Sequence, residues 1–260
     1  MRLNSAQIYN IIQLVNKAAN KVMEIYAQNA VQTTEKADFT PLTTADLASN
    51  EILVRGLKNL FPAIPIVSEE ENITQNITDK DTCWLVDPLD GTKEFLAKNG
   101  EFTINVALIV NSKPVFGVIA VPAEDVIVFA QKGEGIWQQS GGKIQKLMIA
   151  TSQEKTKAKN FACSRSHLSA ASEEFLQKFP EVKILKKGAA IKYLMLAKKE
   201  ADVYPRFGRT MEWDTAAGQI ILEEAGGTIV QCSDSSPLTY MKPDFVNDSF
   251  IAYAAGIDKI

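Results

Sequence analysis

An apolar run that ends in two carboxylates limits the folds open to this chain. The run is Cys-Trp-Leu-Val at residues 83–86, and it continues as Asp-Pro-Leu-Asp-Gly-Thr at residues 87–92. The apolar residues indicate a buried strand, and the Pro, Asp and Gly that follow indicate a turn. Asp87 and Asp90 are therefore predicted to lie where a buried strand gives way to a short helix.

A turn of this kind can aim two carboxylates and the carbonyl of Leu89 at one point. The amides of Gly91 and Thr92, at the predicted helix start, can face an anion. Carboxylate and carbonyl oxygens are the ligands that hard divalent cations prefer, so the segment suits a cation next to a phosphate. The alternative is a plain β-turn, because Pro, Asp and Gly favour turns whether or not a metal is present.

Three other acidic motifs also lie at the ends of predicted elements. They are Ser68-Glu69-Glu70 after a short strand, Thr43-Thr44-Ala45-Asp46 at a helix start, and Glu212-Trp213-Asp214 at another helix start. Each has an ordinary alternative, since Glu69 could be a solvated loop residue, Asp46 a helix-dipole partner and Asp214 an N-cap. Their joint occurrence at element ends favours a shared site.

The hydrophobic pattern divides the chain into halves, predicted as 1–150 and 151–260. In the first half it predicts helices over residues 8–26 and 44–60, strands over 64–68 and 83–86, and an antiparallel meander over 102–110, 114–121 and 126–131. This half is predicted to be α+β. Residues 38–44 are interpreted as a turn-rich segment, and the polar, Lys-rich residues 150–159 as a linker.

In the second half, short strands and helices alternate, which is typical of an α/β arrangement. The predicted strands are residues 160–163, 182–185 and 203–204, and the predicted helices are 170–178, 189–199 and 213–225.

Charge and cysteine content exclude several functions. The net charge of the 260 residues is −3, which argues against a nucleic-acid-binding protein. Cys83, Cys163 and Cys232 form no C-x-x-C pair, so neither a zinc site nor a disulfide framework is expected, and reduced thiols in the cytoplasm fit best. The first helix carries Asn, Gln and Lys throughout, too polar for a signal peptide or a transmembrane segment.

With these motifs in this order, the sequence resembles the inositol monophosphatase superfamily of lithium-sensitive phosphatases. Within it, the chain is most similar to the bacterial 3'(2'),5'-bisphosphate nucleotidase branch. The resemblance covers nearly the whole chain, and the segments that carry it are Thr-Thr-Ala-Asp at 43–46, Ser-Glu-Glu at 68–70, Trp-Leu-Val-Asp-Pro-Leu-Asp-Gly-Thr-Lys-Glu-Phe at 84–95, Asn-Gly-Glu-Phe-Thr-Ile-Asn at 99–105, Tyr-Pro-Arg-Phe-Gly at 204–208 and Trp-Asp-Thr-Ala-Ala-Gly at 213–218. It implies an α+β fold of five alternating layers, α-β-α-β-α.

The resemblance also implies a magnesium site with two to three Mg²⁺ ions. Glu69, Asp87 and the Leu89 carbonyl would hold one ion, Asp87, Asp90 and Asp214 a second, and Glu69 a weaker third. Gly91 and Thr92 would hold the scissile phosphate. Asp46 and Thr92 would activate the attacking water, and Glu69 completes the implied catalytic set.

The implied activity is removal of the 3'-phosphate of 3'-phosphoadenosine 5'-phosphate, giving AMP and phosphate, in sulfur assimilation. The substrate-binding residues that the resemblance implies are Gly91, Thr92, Lys93, Ser164, Arg165, Ser166, His167, Lys192, Arg206 and Asp214. Ordinary alternatives stay open, because Lys192 could be one of several lysines on a helix and His167 a surface or capping residue. The chain departs from the branch at Gly188-Ala189-Ala190, where relatives have Gly-Ser-Ser.

Two other functions stay open from the sequence. An inositol monophosphatase, or a related sugar-phosphate phosphatase, would need no anchor for a second phosphate. A catalytically silent binder would keep the fold, although no ligand of the implied metal site is lost here. A homodimer, and a peripheral position on the cytoplasmic face of the inner membrane, are further alternatives that the resemblance brings with it.

Overall fold

The computed structural model describes residues 1–28, 33–35, 41–71, 82–149 and 156–260. Within these residues there are six α-helices: α1 (Ser5–Tyr26), α2 (Thr44–Leu60), α3 (Thr92–Leu96), α4 (Ala170–Gln177), α5 (Ile191–Ala197) and α6 (Ala216–Glu224). Residues 38–40 of the predicted turn segment and residues 150–155 of the predicted linker lie outside the described residues.

The same residues contain fourteen strands and two 3₁₀ turns. The strands are β1 (Thr33–Glu35), β2 (Pro41–Thr43), β3 (Ile66–Ser68), β4 (Thr82–Asp90), β5 (Thr103–Val110), β6 (Lys113–Val121), β7 (Val126–Gln131), β8 (Gly135–Ser140), β9 (Lys143–Lys146), β10 (Asn160–Ser164), β11 (Lys183–Lys187), β12 (Val203–Arg206), β13 (Thr228–Gln231) and β14 (Phe250–Tyr253). The 3₁₀ turns are Pro122–Glu124 and Glu212–Asp214.

The larger sheet has seven strands in the order β3-β4-β5-β6-β7-β8-β9. Only its first pair, β3 with β4, is parallel, and every later pair is antiparallel. The predicted meander is therefore confirmed at β5, β6 and β7. It continues through β8 and β9, which the sequence did not predict because these strands are polar and partly exposed.

Two helices cover one face of this sheet. The helix α1 begins at a capping box formed by Asn4 and Gln7, and its apolar residues at helical spacing are buried. The helix α2 begins at Thr43, whose hydroxyl oxygen accepts from the amides of Ala45 and Asp46. Both helices pack on the sheet in one apolar cluster with Trp84, as their periodicity predicts.

The smaller sheet has five strands in the order β11-β10-β12-β14-β13. The strand β10 is parallel to β11 and β12, as expected for an α/β unit, whereas β14 is antiparallel to both of its neighbours. The sheet is therefore mixed. The antiparallel part comes from β13 and β14, two short strands that the sequence analysis did not predict.

The helices α5 and α6 lie between the two sheets, and α4 covers the outer face of the smaller one. A single apolar cluster joins Ile119 on β6, Leu194 on α5, Ile221 on α6 and Ala252 on β14. On the far side, Phe161 on β10 contacts Phe175 on α4. The resulting order of layers is α-β-α-β-α, which confirms the predicted α+β five-layer architecture.

The remaining expectations concern cysteines and membranes. Cys83 and Cys163 are buried, Cys232 is exposed, and none of these three described residues forms a disulfide. No helix in the described part of the chain has the length and apolar character needed to cross a membrane.

The close approach of α6 to the larger sheet depends on Gly117 in β6. A Cβ at this position would lie 2.5 Å from Cγ2 of Ile220 and 2.8 Å from Cα of Ala217, both on α6. We expect Gly117→Ala to lower the free energy of unfolding by about 1–3 kcal/mol, because backbone and not only a side chain must move. Urea denaturation measures this change. Lys113→Ala, at an exposed position of the same strand, is the control and should change stability by less than about 0.5 kcal/mol.

Candidate active site

The segment with two aspartates is a β-bulge, not the turn that the sequence predicted. The strand β4 continues past Val86 to Asp90, and its pairing with β5 shifts between Asp87, which faces Asn105, and Asp90, which faces Thr103. Three steps along β4 thus match two along β5, so β4 holds one extra residue. Pro88 is tolerated there because a bulge leaves it out of the regular ladder.

Local hydrogen bonds hold the bulge in shape. The hydroxyl of Ser49 on α2 donates to the carbonyl of Pro88 at 2.7 Å, and the amide of Leu89 donates to the Asp87 carboxylate at 3.1 Å. Gly91 then adopts a φ of +89°, a conformation that glycine accepts without strain, and α3 begins at Thr92. The chain therefore turns from the bulge directly into α3.

Three carboxylates meet at this edge of the larger sheet. Oxygen atoms of Glu69, Asp87 and Asp214 all lie within 4.8 Å of one another. Glu69 directly follows β3, and its amide donates to the Val86 carbonyl at 3.1 Å, so the parallel pairing of β3 with β4 brings two of the acids together. The group can hold a metal ion, and its three acids are among the metal ligands that the family resemblance implies.

Asp214 reaches the cluster from the second half of the chain. It ends the 3₁₀ turn before α6, and its carboxylate accepts a hydrogen bond from the amide of Met211 at 2.8 Å. The preceding Glu212 is fully buried and accepts from the amides of Met241 and Lys242. Glu212 thus anchors the turn that presents Asp214 to the site.

Burial and neighbouring carboxylates raise the pKa of two of the acids, Asp90 and Asp214. Burial, opposed by Lys192 and reinforced by Glu69, raises the pKa of Asp90 to about 6. Burial, Asp90 and Glu69 raise the pKa of Asp214 well above its ordinary value. Carboxylates gathered in this way carry an excess of negative charge that a divalent cation would neutralise, and an all-oxygen set suits Mg²⁺. The residues therefore fit the implied metal.

Asp46 lies behind Thr92, away from the cleft surface. It is buried in the first turn of α2, where its carboxylate accepts from the amide of Thr43 at 2.8 Å. Its other oxygen accepts from the hydroxyl of Thr92 at 3.1 Å. Asp46 thus satisfies its capping role and still orients the Thr92 hydroxyl, so the helix-end interpretation and the functional one are compatible.

Two cations of the second half face the acidic cluster. Lys192 is buried on α5, and burial, opposed by Asp90, lowers its pKa to about 8, so the amine stays charged at neutral pH. Arg206 on β12 donates from Nη1 to the His167 carbonyl at 2.7 Å and from Nη2 to the Arg209 carbonyl at 3.1 Å. Its Nε is buried and has no hydrogen-bond partner among the described residues.

The acids and the cations share a cleft of about 310 Å³ between the halves. Twelve of the residues predicted for the site line it: Glu69, Asp87, Leu89, Asp90, Gly91, Thr92, Lys93, Ser164, His167, Lys192, Arg206 and Asp214. The other three, Asp46, Arg165 and Ser166, do not line it. The hydroxyl of Ser166 donates to Glu94 at 2.5 Å, and Arg165 pairs with Glu101 at 2.6 Å.

His167 contributes a neutral side chain at the rim. Burial, Lys93 and Arg206 lower its pKa, which leaves the imidazole uncharged at neutral pH. Its Nε2 lies 3.0 Å from the Lys93 ammonium, which donates to it. Lys93 and His167 therefore meet across the cleft, one from each half of the chain.

Sequence reasoning assigned no role to four residues that shape the cleft or its support. Glu94, Tyr193 and Tyr204 line it, and Glu101 binds the loops behind it. Glu94 and Glu101 lie in motifs that carry the family resemblance, but a sequence does not reveal that their partners come from the second half. Tyr193 lies in an apolar run, and Tyr204, although it opens the motif at residues 204–208, directly follows Val203; neither can be told from a core residue in the sequence.

Comparisons with known proteins agree with this geometry. Residues 4–257 match the model of the inositol monophosphatase family. The chain is 40% identical over 249 residues to the 3'(2'),5'-bisphosphate nucleotidase CysQ of Buchnera aphidicola, covering 94% of this chain and 92% of that protein. It is 35% identical over 243 residues to the CysQ nucleotidase of Escherichia coli K12, covering 92% and 96%.

A solved structure gives the same result. The crystal structure of CysQ from Bacteroides thetaiotaomicron superposes with a TM-score of 0.81 at 37% identity, covering 95% of this chain and 96% of that one. Fold, acidic cluster and sequence similarity lead to one conclusion: the chain belongs to the inositol monophosphatase family.

Proposed function

We propose that this chain is a magnesium-dependent 3'(2'),5'-bisphosphate nucleotidase that removes the 3'-phosphate of adenosine 3',5'-bisphosphate, giving AMP and phosphate. The observation that carries the proposal is a single cleft lined both by the carboxylates and by two cations, Lys192 and Arg206. A metal site suffices for one phosphate ester. Two cations in the same cleft suit a substrate with a second phosphate.

The sequence similarity to named nucleotidases supports the same substrate. Both CysQ proteins align with this chain over more than nine-tenths of its length. We place the activity in sulfur assimilation. We place it in the cytoplasm because the three cysteines form no disulfide, which suits a reducing compartment.

The metal ligands in this proposal are the five groups that converge on the cleft. Glu69, Asp87, Asp90, Asp214 and the carbonyl of Leu89 would hold Mg²⁺, in the two to three ions that the family resemblance implies. Mg²⁺, when bound, supplies positive charge that offsets the negative charge on the phosphoryl oxygens. Asp87 is the most buried of these acids and stands at the start of the bulge, and the family resemblance implies that it would serve as a ligand of more than one ion.

Thr92 and Asp46 would prepare the nucleophile. The Thr92 hydroxyl donates its proton to Asp46, so its oxygen can accept a hydrogen bond from a water molecule in the cleft. That bond orients the water and allows its proton to pass towards Asp46 as the new P–O bond forms. The amides of Gly91 and Thr92, at the start of α3, would hold the scissile phosphate in place.

Lys192 and Arg206 would bind the 5'-phosphate. Lys192 is fixed by bonds to two backbone carbonyls, and the Nε of Arg206 is a buried donor available to a ligand. An unpaired buried donor is costly, and a phosphate oxygen would satisfy it.

Phosphate release from three substrates tests the proposal. We expect adenosine 3',5'-bisphosphate to be hydrolysed with a higher kcat/KM than adenosine 3'-monophosphate or inositol 1-phosphate, and only with Mg²⁺ present. A higher kcat/KM for inositol 1-phosphate would instead identify an inositol monophosphatase. No magnesium-dependent hydrolysis of any of the three would favour a silent binder.

Replacing Asp87 should largely abolish turnover. We expect Asp87→Asn to lower kcat by more than about 100-fold, since losses of that size already follow from changes to residues that merely support a metal ligand. Steady-state phosphate release measures the effect. Asp125→Asn, an exposed acid in a surface turn, is the control and should retain wild-type activity. Near wild-type turnover in Asp87→Asn would contradict the metal assignment.

Removing the Thr92 hydroxyl should affect chemistry more than binding. We expect Thr92→Val to lower kcat by about 10²–10⁴-fold with little change in KM, because the variant keeps the size of the side chain but not the hydroxyl. Thr92→Ser keeps the hydroxyl and should recover most of the activity. If the Val and Ser variants have equal kcat, the hydroxyl has no part in the reaction.

A further inference from the structure

Glu101 is a buried carboxylate outside the cleft that binds two separate loops of the second half. It lies just before β5, and only 8% of its surface is exposed. Its oxygens accept from Nε and Nη2 of Arg165 at 2.6 and 2.8 Å, from the amide of Gly188 at 2.9 Å, and from the Lys187 ammonium at 3.1 Å. Four donors from the second half of the chain thus converge on one side chain of the first.

One of these loops, residues 187–190, leads into α5 and supports Lys192. The Lys192 ammonium donates to the carbonyls of Ala189 at 2.5 Å and Lys187 at 3.3 Å. The position of this cation is therefore set by the backbone of the loop that Glu101 holds.

The contact between this loop and the first half is close. A Cβ on Gly188 would lie 2.5 Å from the Glu101 carbonyl oxygen and 2.7 Å from Cγ of Glu94, so only glycine fits. Ala189 follows with a φ of +47°, a left-handed conformation that costs an alanine free energy. The amide of Ala190 then donates to the hydroxyl of Thr103 at 3.3 Å. Hydrogen bonds at Gly188 and Ala190 thus hold Ala189 in a left-handed conformation that is unfavourable for an alanine.

The other loop, residues 164–167, supports Arg206. Besides the Glu101 pair, the Arg165 amide donates to the Lys187 carbonyl at 3.1 Å, which joins the two loops to each other. Two residues further on, the His167 carbonyl accepts from Nη1 of Arg206 at 2.7 Å. Contacts therefore connect Glu101, through Arg165, to the loop whose His167 carbonyl orients Arg206.

Charge keeps this arrangement intact at neutral pH. Burial alone would raise the pKa of Glu101, but the bonds from Arg165, Gly188 and Lys187 lower it to about 2. The carboxylate is therefore ionised throughout the physiological range. Because Glu101 and Arg165 do not line the cleft, their pair is not itself a phosphate site.

We propose that Glu101 is a positioning residue for substrate selectivity, which fixes Lys192 and Arg206 for the second phosphate by holding the loops 187–190 and 164–167. This inference rests on the proposed function. In the proposed function, the scissile end of the substrate would be held by residues of the bulge, α3 and Asp214, and no hydrogen bond joins these described residues to the Glu101 carboxylate. Loss of Glu101 should therefore weaken recognition of the second phosphate and spare hydrolysis of an ester that lacks it.

The test compares two substrates that differ only in the 5'-phosphate. The kcat/KM for adenosine 3',5'-bisphosphate is divided by that for adenosine 3'-monophosphate, both with Mg²⁺. In Glu101→Gln we expect this ratio to fall about tenfold or more, through a higher KM for the bisphosphate, while the monophosphate value changes by less than about twofold. Glu101→Asp keeps the charge and should retain more of the ratio than Glu101→Gln.

Glu224→Gln is the matched control. Glu224 also accepts from two loop amides, those of Gly133 at 2.8 Å and Gly135 at 2.7 Å, but on a loop that does not line the cleft. In Glu224→Gln, the ratio of kcat/KM for the bisphosphate to that for the monophosphate should equal the wild-type ratio. Thermal melting of both variants shows how far each loses stability.

Three results would overturn the inference. One is a ratio in Glu101→Gln within about twofold of the wild type, and another is an equal loss for both substrates, which indicates a general structural role. If Glu101→Gln does not fold, the same ratio is measured in Lys187→Met. This variant removes one ionic partner of Glu101 at a half-exposed position, so it should disturb folding less. An unchanged ratio in Lys187→Met overturns the inference, and a reduced one supports it. A wild type without preference for the bisphosphate would instead overturn the proposed function itself.

Discussion

Repulsion among carboxylates at one edge of the larger sheet is the constraint around which the site is built. Glu69, Asp87 and Asp214 place oxygens within 4.8 Å of one another, and burial together with neighbouring carboxylates raises the pKa values of Asp90 and Asp214. Such a cluster persists only if the backbone that carries it is rigid. The bulge, the parallel pairing of β3 with β4, and buried Glu212 provide that rigidity, each from a different element.

The layered fold explains why the cleft lies between the halves. The helices α5 and α6 are packed between the two sheets, so Lys192 at the start of α5 and Asp214 just before α6 reach the edge where β4 ends. The larger sheet supplies most of the acids, and the smaller sheet, through Arg206, supplies a cation. The ionic contacts of Glu101 with Arg165 and Lys187 join the same two halves of the chain at a point outside the cleft.

Local patterns made much of this predictable from the sequence. The periodicity of α1 and α2, the helix start at the Thr43-Thr44 motif and the meander are properties of neighbouring residues, so they could be identified without a structure. The acids could be grouped because each ends an element and because their motifs resemble a known family. Whether Asp87 to Asp90 forms a turn or a bulge could not be decided, since the answer depends on pairing with Asn105 and Thr103 in the next strand.

Contacts between distant residues account for most of what could not be predicted. Arg165 is a plausible phosphate ligand in the sequence, but its guanidinium is paired with Glu101, 64 residues earlier in the chain. The short strands β13 and β14 are recognisable only from their pairing, in which β14 joins β12 and β13 joins β14. Lys192 is one lysine among several in the sequence. Only the fold shows that it is buried, with its ammonium over the ring of Tyr204.

The bulge also limits how this chain can change in length. Asp87 and Asp90 are three residues apart and would face opposite sides of a regular strand, but the one extra residue lets them pair with Asn105 and Thr103, which share a face. Inserting a further residue between them would turn Asp90 to the opposite face, and deleting one would abolish the bulge that carries the Leu89 carbonyl. Over these four positions, an insertion or deletion would thus be more damaging than most single substitutions, whereas the loop between β8 and β9, far from the cleft, could accept added residues at little cost.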